Sequence, residues 1–354
     1  MTPELGVIEG YFGRAWNWAD RGEVIDRLAP AGYAFFHYAP KIDGKLRRAW
    51  RQLHDAAEVQ NLRRFAEHCA GRGMRFGVGL APYGAHLEFD RETRKDLRAK
   101  IAHLSMIGID DLVILFDDMR GDVADLAERQ AEIVDCAIGS SSASRVFTCP
   151  SYYSDDHLLD RVFGQRPESY LENLGKLLDP AIFVYWTGEE ICSREFSVGH
   201  LASVAQRLGR KPSLWDNYPV NDGPRMSNHL HLRSFTGRPA ALGPHVAHHA
   251  INPASQPILG CIPALTLPSC YAKGDAYSYA SEFMAAAASV CGDELAALLR
   301  DDLNSLQDLG RAGLGDNGAK LSRKYAAIEH PAAAEIVDWL NGGYAITGEM
   351  LQTQ

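Results

Sequence analysis

The sequence lacks long apolar runs, dense basic clusters and closely spaced cysteine pairs. No window reaches the roughly 18 apolar residues of a membrane-spanning helix, so we expect no membrane partner. The 36 basic and 45 acidic side chains give a formal net charge of −9, which argues against nucleic acid or an anionic surface as a partner. These absences favour a globular protein that binds a neutral or small ligand.

Cysteine and histidine usage predicts neither a disulfide framework nor a metal site. The seven cysteines are odd in number and scattered, which is typical of reduced thiols. The histidines of segments 228–235 and 243–252 have no acidic or cysteine partner at a fixed spacing, so we expect them on the surface or in loops. The first ten residues show no basic segment followed by an apolar stretch. We expect a cytoplasmic protein with no metal and no cofactor.

Apolar, β-rich runs alternate with segments of helical periodicity through the first 280 residues. In segments such as 59–73 and 94–108, apolar residues recur three and four apart and the pattern ends near glycine, which predicts helices. Eight such units predict a parallel sheet closed into a (β/α)8 TIM barrel over residues 1–280. No GxGxxG loop follows the first strand, which disfavours an open nucleotide-binding sheet. The predicted strands are 6–12, 33–40, 75–82, 111–118, 145–153, 182–188, 213–220 and 258–266.

After residue 280 the β-rich runs stop and helical patterns continue. Residues 281–354 are therefore predicted to form a C-terminal α-helical region packed on the barrel, with a helix–helix turn at 313–318 and a helix start at Pro331. The sequence leaves open whether this region completes a substrate groove, forms a dimer interface or only covers the barrel. A homodimer is expected solely because symmetric dimers are the commonest oligomers.

Two adjacent carboxylates, Asp117 and Asp118, follow the apolar run 113–116. In a TIM barrel the active site lies at the carboxyl ends of the strands, and the fourth predicted strand ends at this doublet. The pair could cap the next helix, bind a hard metal ion or perform acid–base chemistry. Successive side chains of a strand point to opposite faces, so both reach one ligand only if the backbone bends after Phe116.

Other polar and aromatic residues also fall at the predicted strand ends. Carboxylates, amides, phenols and one lysine converge there without a phosphate-binding loop, which favours a ligand rich in hydroxyl and amide groups. Aromatic side chains at the same ends can stack on the apolar face of a sugar. The pattern therefore favours a carbohydrate ligand. The aromatic candidates are Tyr38, Tyr83, Trp186, Trp215 and Tyr218.

A set of motifs resembles the family 84 glycoside hydrolases, the O-GlcNAcase-type β-N-acetylglucosaminidases. The resemblance spans about residues 6 to 270, and the blocks "FDD" and "WDNYPVND" are its most specific parts. Departures from the family pattern at Ala15, Ile42 and Glu189 affect the outer pocket and remove no expected catalytic group. The motifs, in order, are "GVIEGYFGRAW" (6–16), "YAPKID" (38–43), "WR" (50–51), "LFDDM" (115–119), "CPSYY" (149–153), "WTG" (186–188), "WDNYPVND" (215–222) and "NP" (252–253).

The resemblance implies a retaining exo-β-N-acetylglucosaminidase that acts by substrate assistance. In this scheme the sugar's own 2-acetamido oxygen attacks C1 and gives an oxazoline in place of a covalent glycosyl-enzyme. Asp117 would accept the acetamido N–H, while Asp118 would be the general acid to the leaving oxygen and then the general base to water. The implied substrate is a GlcNAc-bearing glycoside or glycoprotein.

The resemblance also implies six substrate-binding residues. Tyr153 would contact the acetamido oxygen and the oxazoline, and Asn217 would hold the catalytic carboxylate and the acetamido group in place. The other four would bind sugar hydroxyls: the Gly10 carbonyl, Lys41, and Asp222 with Asn252 at the 4- and 6-hydroxyls.

Two other functions stay open at the level of sequence. One is a related hexosaminidase that acts on free glycans, cell-wall fragments or glycosaminoglycan ends, because an exo-acting pocket leaves the choice of leaving group to loops and to the helical region. The other is a sugar-binding barrel without activity. Retention of both Asp117 and Asp118 favours an enzyme over the second alternative.

Overall fold

The computed structural model describes residues 2–354, and its strands form one closed parallel barrel. The strands follow one another around the barrel in chain order, and the first pairs with the eighth. The predicted (β/α)8 TIM barrel is therefore confirmed. The strands are β1 (Glu4–Glu9), β2 (Tyr33–Tyr38), β3 (Arg75–Leu80), β4 (Asp111–Leu115), β5 (Arg145–Cys149), β6 (Phe183–Trp186), β7 (Ser213–Asp216) and β8 (His248–Ile251).

Nine α-helices of the described chain lie before residue 274 and pack around the barrel. The first two begin with capping boxes, Asn17 with Asp20 and Asp55 with Glu58, in which each side chain accepts from the other residue's backbone N–H. These helices are α1 (Trp18–Leu28), α2 (Ala56–Gly71), α3 (Arg91–Ser105), α4 (Leu126–Ile138), α5 (His157–Phe163), α6 (Tyr170–Leu177), α7 (Val198–Leu208), α8 (Pro257–Ala264) and α9 (Leu267–Lys273).

The eighth strand lies outside the predicted segment. The prediction of a strand at 258–266 is wrong, because this segment lies mainly in α8, with Pro257 in its first turn. The strand is β8, so Asn252 follows it directly instead of preceding it. A short apolar run has the same pattern in a buried helix as in a buried strand, whereas Pro257 is typical of a helix start.

Three histidines of the segments predicted to lie on the surface or in loops are buried: His231, His248 and His249. The prediction is wrong for His248 and His249, which lie in β8, because neighbouring polar groups satisfy their ring nitrogens inside the fold. His249 lies 2.9 Å from Asp216 Oδ2 and 2.7 Å from the hydroxyl of Tyr271. Burial lowers the pKa of His231 to about 4, so this ring is neutral at pH 7.

A layer of paired polar side chains fills the barrel interior below the carboxyl ends of the strands. His37 Nε2 lies 3.0 Å from Asp111 Oδ2, and His37 Nδ1 lies 2.8 Å from the hydroxyl of Tyr185. Arg75 lies 3.3 Å from Asp111 and 3.0 Å from Glu4. Each of these charges has an oppositely charged neighbour, which a buried charge requires. The layer closes the interior beneath the open end of the barrel.

The C-terminal region is helical, as predicted, and packs on the barrel. Trp339 Nε1 donates to the carbonyl of Ser227 at 3.1 Å, and Arg27 Nη1 donates to the carbonyl of Val290 at 3.4 Å. The predicted turn at 313–318 and helix start at Pro331 are confirmed. The elements are α10 (Tyr279–Leu303), a π-helical turn (Asn304–Leu309), α11 (Gly310–Gly313), α12 (Asn317–Ala326), α13 (Pro331–Leu340) and α14 (Gly348–Thr353).

The predicted boundary between residues 280 and 281 falls in the first turn of α10, and it stays a prediction. Across residues 2–354, no helix combines the length and the apolar character needed to cross a bilayer.

Candidate active site

A single cavity at the carboxyl end of the barrel contains all of the predicted site residues. Its volume is about 480 Å³, which is within the usual range for a small-molecule site. The strand ends point their polar side chains into this space, as the barrel predicts. The predicted residues that line it are Gly10, Lys41, Asp117, Asp118, Tyr153, Asn217, Asp222 and Asn252.

A left-handed backbone at Asp118 brings both carboxylates to the same cavity. Strand β4 ends at Leu115, and Asp118 has φ = 58°, which is uncommon for residues other than glycine but is enriched in Asp. The chain therefore turns at the doublet instead of sending Asp118 to the outer face. Asp117 is the deeper group, with 8% of its side chain exposed against 28% for Asp118.

The doublet does not cap the following helix, because α4 begins only at Leu126 and is preceded by Asp125. Asp122, the next aspartate along the chain, is paired with Arg120 and does not cap this helix either. For a metal ion, the described residues contain no group of three or more histidine, cysteine, aspartate or glutamate side chains with suitable geometry. Of the three roles considered for the doublet, acid–base chemistry fits its surroundings best.

Lys41 links the two carboxylates. Its ammonium group contacts Asp117 Oδ2 directly and lies 3.4 Å from Asp118 Oδ2. Burial lowers the pKa of Lys41, but the attraction of Asp117 and Asp118 outweighs burial and the pKa is raised. The other oxygen of Asp117, Oδ1, is buried and has no hydrogen-bond partner among residues 2–354. A buried acceptor of this kind is costly unless a ligand donates to it.

Tyr153 places a neutral donor beside the doublet. Its hydroxyl lies 3.4 Å from Asp118 Oδ1, at the edge of hydrogen-bond distance. Burial, with repulsion from Asp118 and Asp117, raises the pKa of Tyr153 well above its usual value. The phenol therefore keeps its proton at pH 7 and can donate a hydrogen bond to a ligand oxygen.

Asn217 and Asn252 form one wall of the cavity through a chain of amide bonds. Asn252 Nδ2 donates to Asn217 Oδ1 at 3.0 Å, and Trp215 Nε1 donates to the same oxygen at 3.1 Å. Asn217 Nδ2 donates to the carbonyl of Ile191 at 2.7 Å. Among the contacts of the described chain, Asn217 makes no hydrogen bond to either catalytic candidate. The role expected for Asn217, holding the catalytic carboxylate and the acetamido group in place, therefore stays a prediction.

Gly10 sits where no larger residue fits. A Cβ at this position would lie 2.4 Å from Cζ2 of Trp215, closer than any real contact. The Gly10 N–H faces Asn252 Oδ1 at 3.3 Å. The glycine therefore lets the end of β1 approach the indole of Trp215, which lines the cavity.

Asp222 accepts a hydrogen bond from the backbone N–H of Phe12 at 3.0 Å. Burial raises the pKa of Asp222 to about 6, and the nearby charge of Asp118 adds to the effect, although the Phe12 N–H opposes it. Asp222 therefore titrates within a range where an enzyme can be assayed. The same bond fixes the loop after β1, whose Phe12 also lines the cavity.

A buried ion pair behind this wall holds one of the loops that line the cavity. Arg238 Nη2 and Nε donate to the two oxygens of Asp216 at 2.6 and 2.8 Å. Burial raises the pKa of Asp216, but Arg238 outweighs burial and the pKa is lowered. Arg238 Nη2 also donates to the carbonyl of Ser193 at 2.9 Å. The pair therefore connects β7 to the loop 188–197, which contains Ile191 and Cys192 of the cavity lining.

The aromatic candidates were only partly correct. Trp215 lines the cavity, whereas Trp186 is fully buried and donates from Nε1 to His200 at 3.0 Å. Tyr38 packs instead against Trp18 outside the strands. Strand alternation explains the difference, because Trp215 shares the inward face with Asn217 two residues later.

The sequence reasoning assigned no role to several further lining residues, among them Phe12, Leu158, Ile191, Cys192 and Leu351. Phe12 lies inside the quoted "GVIEGYFGRAW" motif but was given no role of its own. Leu351 had no distinguishing pattern at all, since it is an ordinary apolar position of the last helix.

A family model described as beta-N-acetylglucosaminidase matches residues 5–303 of the chain. The chain belongs to the beta-N-acetylglucosaminidase family. The match runs from the second residue of β1 to the end of α10, and it includes every predicted site residue. The prediction of a glycoside hydrolase of the O-GlcNAcase type is thereby confirmed at the level of the family.

Two curated relatives of the chain are named protein O-GlcNAcase, one from Mus musculus and one from Rattus norvegicus. Each is 28% identical over 258 residues, which is 70% of this chain and 28% of the relative. The chain therefore corresponds to about a quarter of the length of these relatives.

A solved structure, a mutant of Thermobaculum terrenum O-GlcNAc hydrolase, has the same fold. It superimposes with a TM-score of 0.80 and 23% sequence identity, and the match covers 96% of this chain and 81% of that one. At this identity the likeness supports the fold of the barrel and of the helices that follow it.

Proposed function

We propose that the protein is a retaining exo-β-N-acetylglucosaminidase that removes terminal β-linked GlcNAc by substrate assistance. The observation that carries the proposal is the placement of two adjacent carboxylates, Asp117 and Asp118, on one cavity by a left-handed turn. A two-carboxylate mechanism with an enzyme nucleophile needs groups on opposite sides of the sugar. Neighbouring residues on one side suit a reaction whose nucleophile belongs to the substrate.

Asp117 is proposed to hold the acetamido group. Its buried Oδ1 has no partner within residues 2–354, and an amide N–H of the substrate would supply the missing donor. The carboxylate would then orient the acetamido oxygen towards C1 and stabilise the positive charge that develops on the forming ring. Lys41, on the other oxygen of Asp117, keeps this carboxylate fixed.

Asp118 is proposed to transfer the proton. In the first step the acetamido oxygen forms a bond to C1, the bond from C1 to the leaving oxygen breaks, and the Asp118 carboxyl gives its proton to that oxygen. In the second step Asp118 takes a proton from water while the water oxygen opens the oxazoline at C1. Each step inverts the configuration at C1, so the product retains the β configuration of the substrate. The greater exposure of Asp118 suits contact with a leaving group and with water.

The remaining predicted residues are proposed to bind the sugar. Tyr153 would donate to the acetamido oxygen, and Asp222 with Asn252 would accept and donate at the 4- and 6-hydroxyls. Gly10 and Lys41 would contact hydroxyls on the other side. The depth of these groups, which lie at the strand ends, supports recognition of a terminal sugar, because the paired layer below them closes the barrel.

The substrate beyond the sugar is a separate proposal. A glycoprotein bearing GlcNAc is the first candidate, since two relatives are named protein O-GlcNAcase. A hexosaminidase for free glycans or glycosaminoglycan ends is the second. We also propose a cytoplasmic location, because all seven cysteines are unpaired. The homodimer stays a prediction.

Hydrolysis of three aryl glycosides tests the activity: the β-N-acetylglucosaminide, the β-N-acetylgalactosaminide and the β-glucoside. We expect only acetamido sugars to be cleaved, and kcat/KM to fall by at least about a hundredfold in Asp117→Asn and Asp118→Asn. Asp122→Asn is the matched control, because this carboxylate follows the doublet and pairs with Arg120. Equal cleavage of the plain glucoside would contradict substrate assistance, and binding without turnover would favour the sugar-binding alternative.

A further inference from the structure

The C-terminal helix α14 reaches the mouth of the proposed active site. Leu351, on this helix, lines the same cavity as Asp118 and Tyr153, although it lies 233 residues after Asp118 in the chain (351 − 118). Thr347 caps the start of this helix, because its side chain accepts from the Met350 N–H at 3.3 Å. Leu351, which belongs to none of the sequence motifs, therefore lines the cavity that contains Asp117 and Asp118.

Several contacts fix α14 in this position. The N–H of Gly13 donates to Gln354 Oε1 at 2.7 Å, and Arg48 Nε donates to the main-chain oxygen of Gln354 at 3.0 Å. Arg47, which is buried, contacts the same oxygen. Before the helix, Ile346 packs at Gly13, where an added Cβ would lie 2.8 Å from Ile346 Cδ1. The helix is thus fastened to the loop after β1.

That loop also contributes to the cavity. The N–H of Phe12 is bound to Asp222 and the next N–H, of Gly13, is bound to Gln354. Two successive backbone donors therefore connect a cavity carboxylate to α14. The contact ties the position of Leu351 to the loop that lines the sugar pocket, so Leu351 has a defined place at its mouth.

The cavity divides into a polar inner part and an apolar mouth. Lys41, Asp117 and Asn252 are buried at the strand ends. Leu158, which is 41% exposed, and Ile191 and Leu351, which are partly buried, come from elements beyond the strand ends. A sugar in the inner part would direct its leaving group past the more exposed Asp118 towards these three aliphatic side chains.

We propose that Leu351 determines leaving-group preference, by giving the site an apolar contact for the group attached to GlcNAc. This inference rests on the proposed function and specifies its substrate: a β-N-acetylglucosaminide whose leaving group has an apolar face. A leaving group of this kind gains by removing its surface, and that of Leu351, from water. A small or strongly polar leaving group gains nothing from this contact.

Binding of two analogues that cannot be hydrolysed tests the proposal: the phenyl and methyl β-glycosides of GlcNAc with a methylene group in place of the leaving oxygen, measured by titration calorimetry. Both have the same sugar, and only the phenyl compound has an apolar face beyond it. We expect wild type to bind the phenyl compound more tightly. In Leu351→Gln the preference, the ratio of the two Kd values, should fall by about fivefold to tenfold, while binding of the methyl compound stays within about twofold.

Three companion measurements make the result decisive. Leu351→Met should restore the preference because it restores an apolar side chain, and Leu309→Gln should keep it because Leu309 is 56% exposed on the same helical region, outside the cavity. Equal loss of both ligands in Leu351→Gln, or an unchanged ratio, would overturn the inference. Hydrolysis of an aryl β-N-acetylglucosaminide by wild type is assayed in parallel. Failure there would instead overturn the proposed function, and this inference with it.

Discussion

At the scale of single residues, the backbone conformation of Asp118 explains how adjacent carboxylates serve one substrate. In a regular strand Asp117 and Asp118 would face opposite sides. The sequence predicted that a bend was needed, and the structure has a left-handed residue at that position. Aspartate tolerates this conformation better than most residues because its short side chain can bond locally. The angle itself could not be read from the sequence.

The titration of Asp222 gives a prediction for the pH dependence of activity. Burial raises the pKa of Asp222 to about 6, so the carboxylate is the main form only above that pH. An ionised carboxylate accepts sugar hydroxyls more strongly than a protonated one. We therefore expect kcat/KM for an aryl β-N-acetylglucosaminide to fall as the pH drops through about 6. In Asp222→Asn the value should be lower throughout and this fall should disappear.

The control for that experiment is Asp301→Asn, which changes an exposed carboxylate on α10 that pairs with its neighbour Arg300. Its pH profile should match wild type. Persistence of the same fall in Asp222→Asn would assign the titration to another group.

At the scale of secondary-structure elements, the misplaced eighth strand shows what periodicity cannot resolve. The run 258–266 was apolar enough for a buried strand, but most of it lies in α8. Every residue of this helix is buried, so its sequence shows no polar face that would reveal a helical period. The true strand contains His248 and His249, whose partners come from distant parts of the chain. A local pattern does not contain such partners, so the strand looked like a polar loop.

The interaction between α13 and α8 gives a prediction for stability. Glu335 on α13 is buried, and its two oxygens accept from the N–H groups of Ile258 and Leu259 at 2.9 and 2.8 Å. A side chain of the helical region therefore satisfies the first turn of a barrel helix. We expect Glu335→Ala to lower the free energy of unfolding by about 1–3 kcal/mol. Chemical denaturation of wild type and Glu335→Ala measures this difference in the free energy of unfolding.

The same residue has a predicted pH signature. Burial raises the pKa of Glu335 to about 7, against an ordinary value of 4.5. The folded state thus holds the proton more tightly than the unfolded state, and the stability it contributes, which is complete below about 4.5, is lost as the pH rises from about 4.5 through about 7. Glu335→Gln should remove this dependence, and the exposed Glu329→Ala should keep it. A wild-type stability that does not fall over this range would contradict the assignment.

At the scale of the whole molecule, the barrel and its site could be predicted because both depend on order along the chain. Alternating units predicted the closed sheet, and the ends of successive strands predicted which side chains meet. All eight predicted site residues line one cavity for this reason. Their individual roles depend on a bound sugar and stay proposals.

The position of α14 could not be predicted in the same way. Its contacts join residues more than 300 positions apart, as between Arg48 and Gln354 or Gly13 and Gln354. No motif accompanies Leu351, and the sequence left open whether the helical region completes a substrate groove. The structure places part of that region at the cavity, which is the basis for the proposed leaving-group contact.

The central claim, that the substrate's acetamido oxygen is the nucleophile at Asp117 and Asp118, is tested most directly by fluorinating that group. Aryl β-glucosaminides with N-acetyl, N-fluoroacetyl, N-difluoroacetyl and N-trifluoroacetyl groups have progressively less electron density on the attacking oxygen. We predict that kcat/KM of wild type falls at each step along this series. Equal rates across the series would show that the acetamido oxygen does not attack C1, and would contradict the account of the doublet.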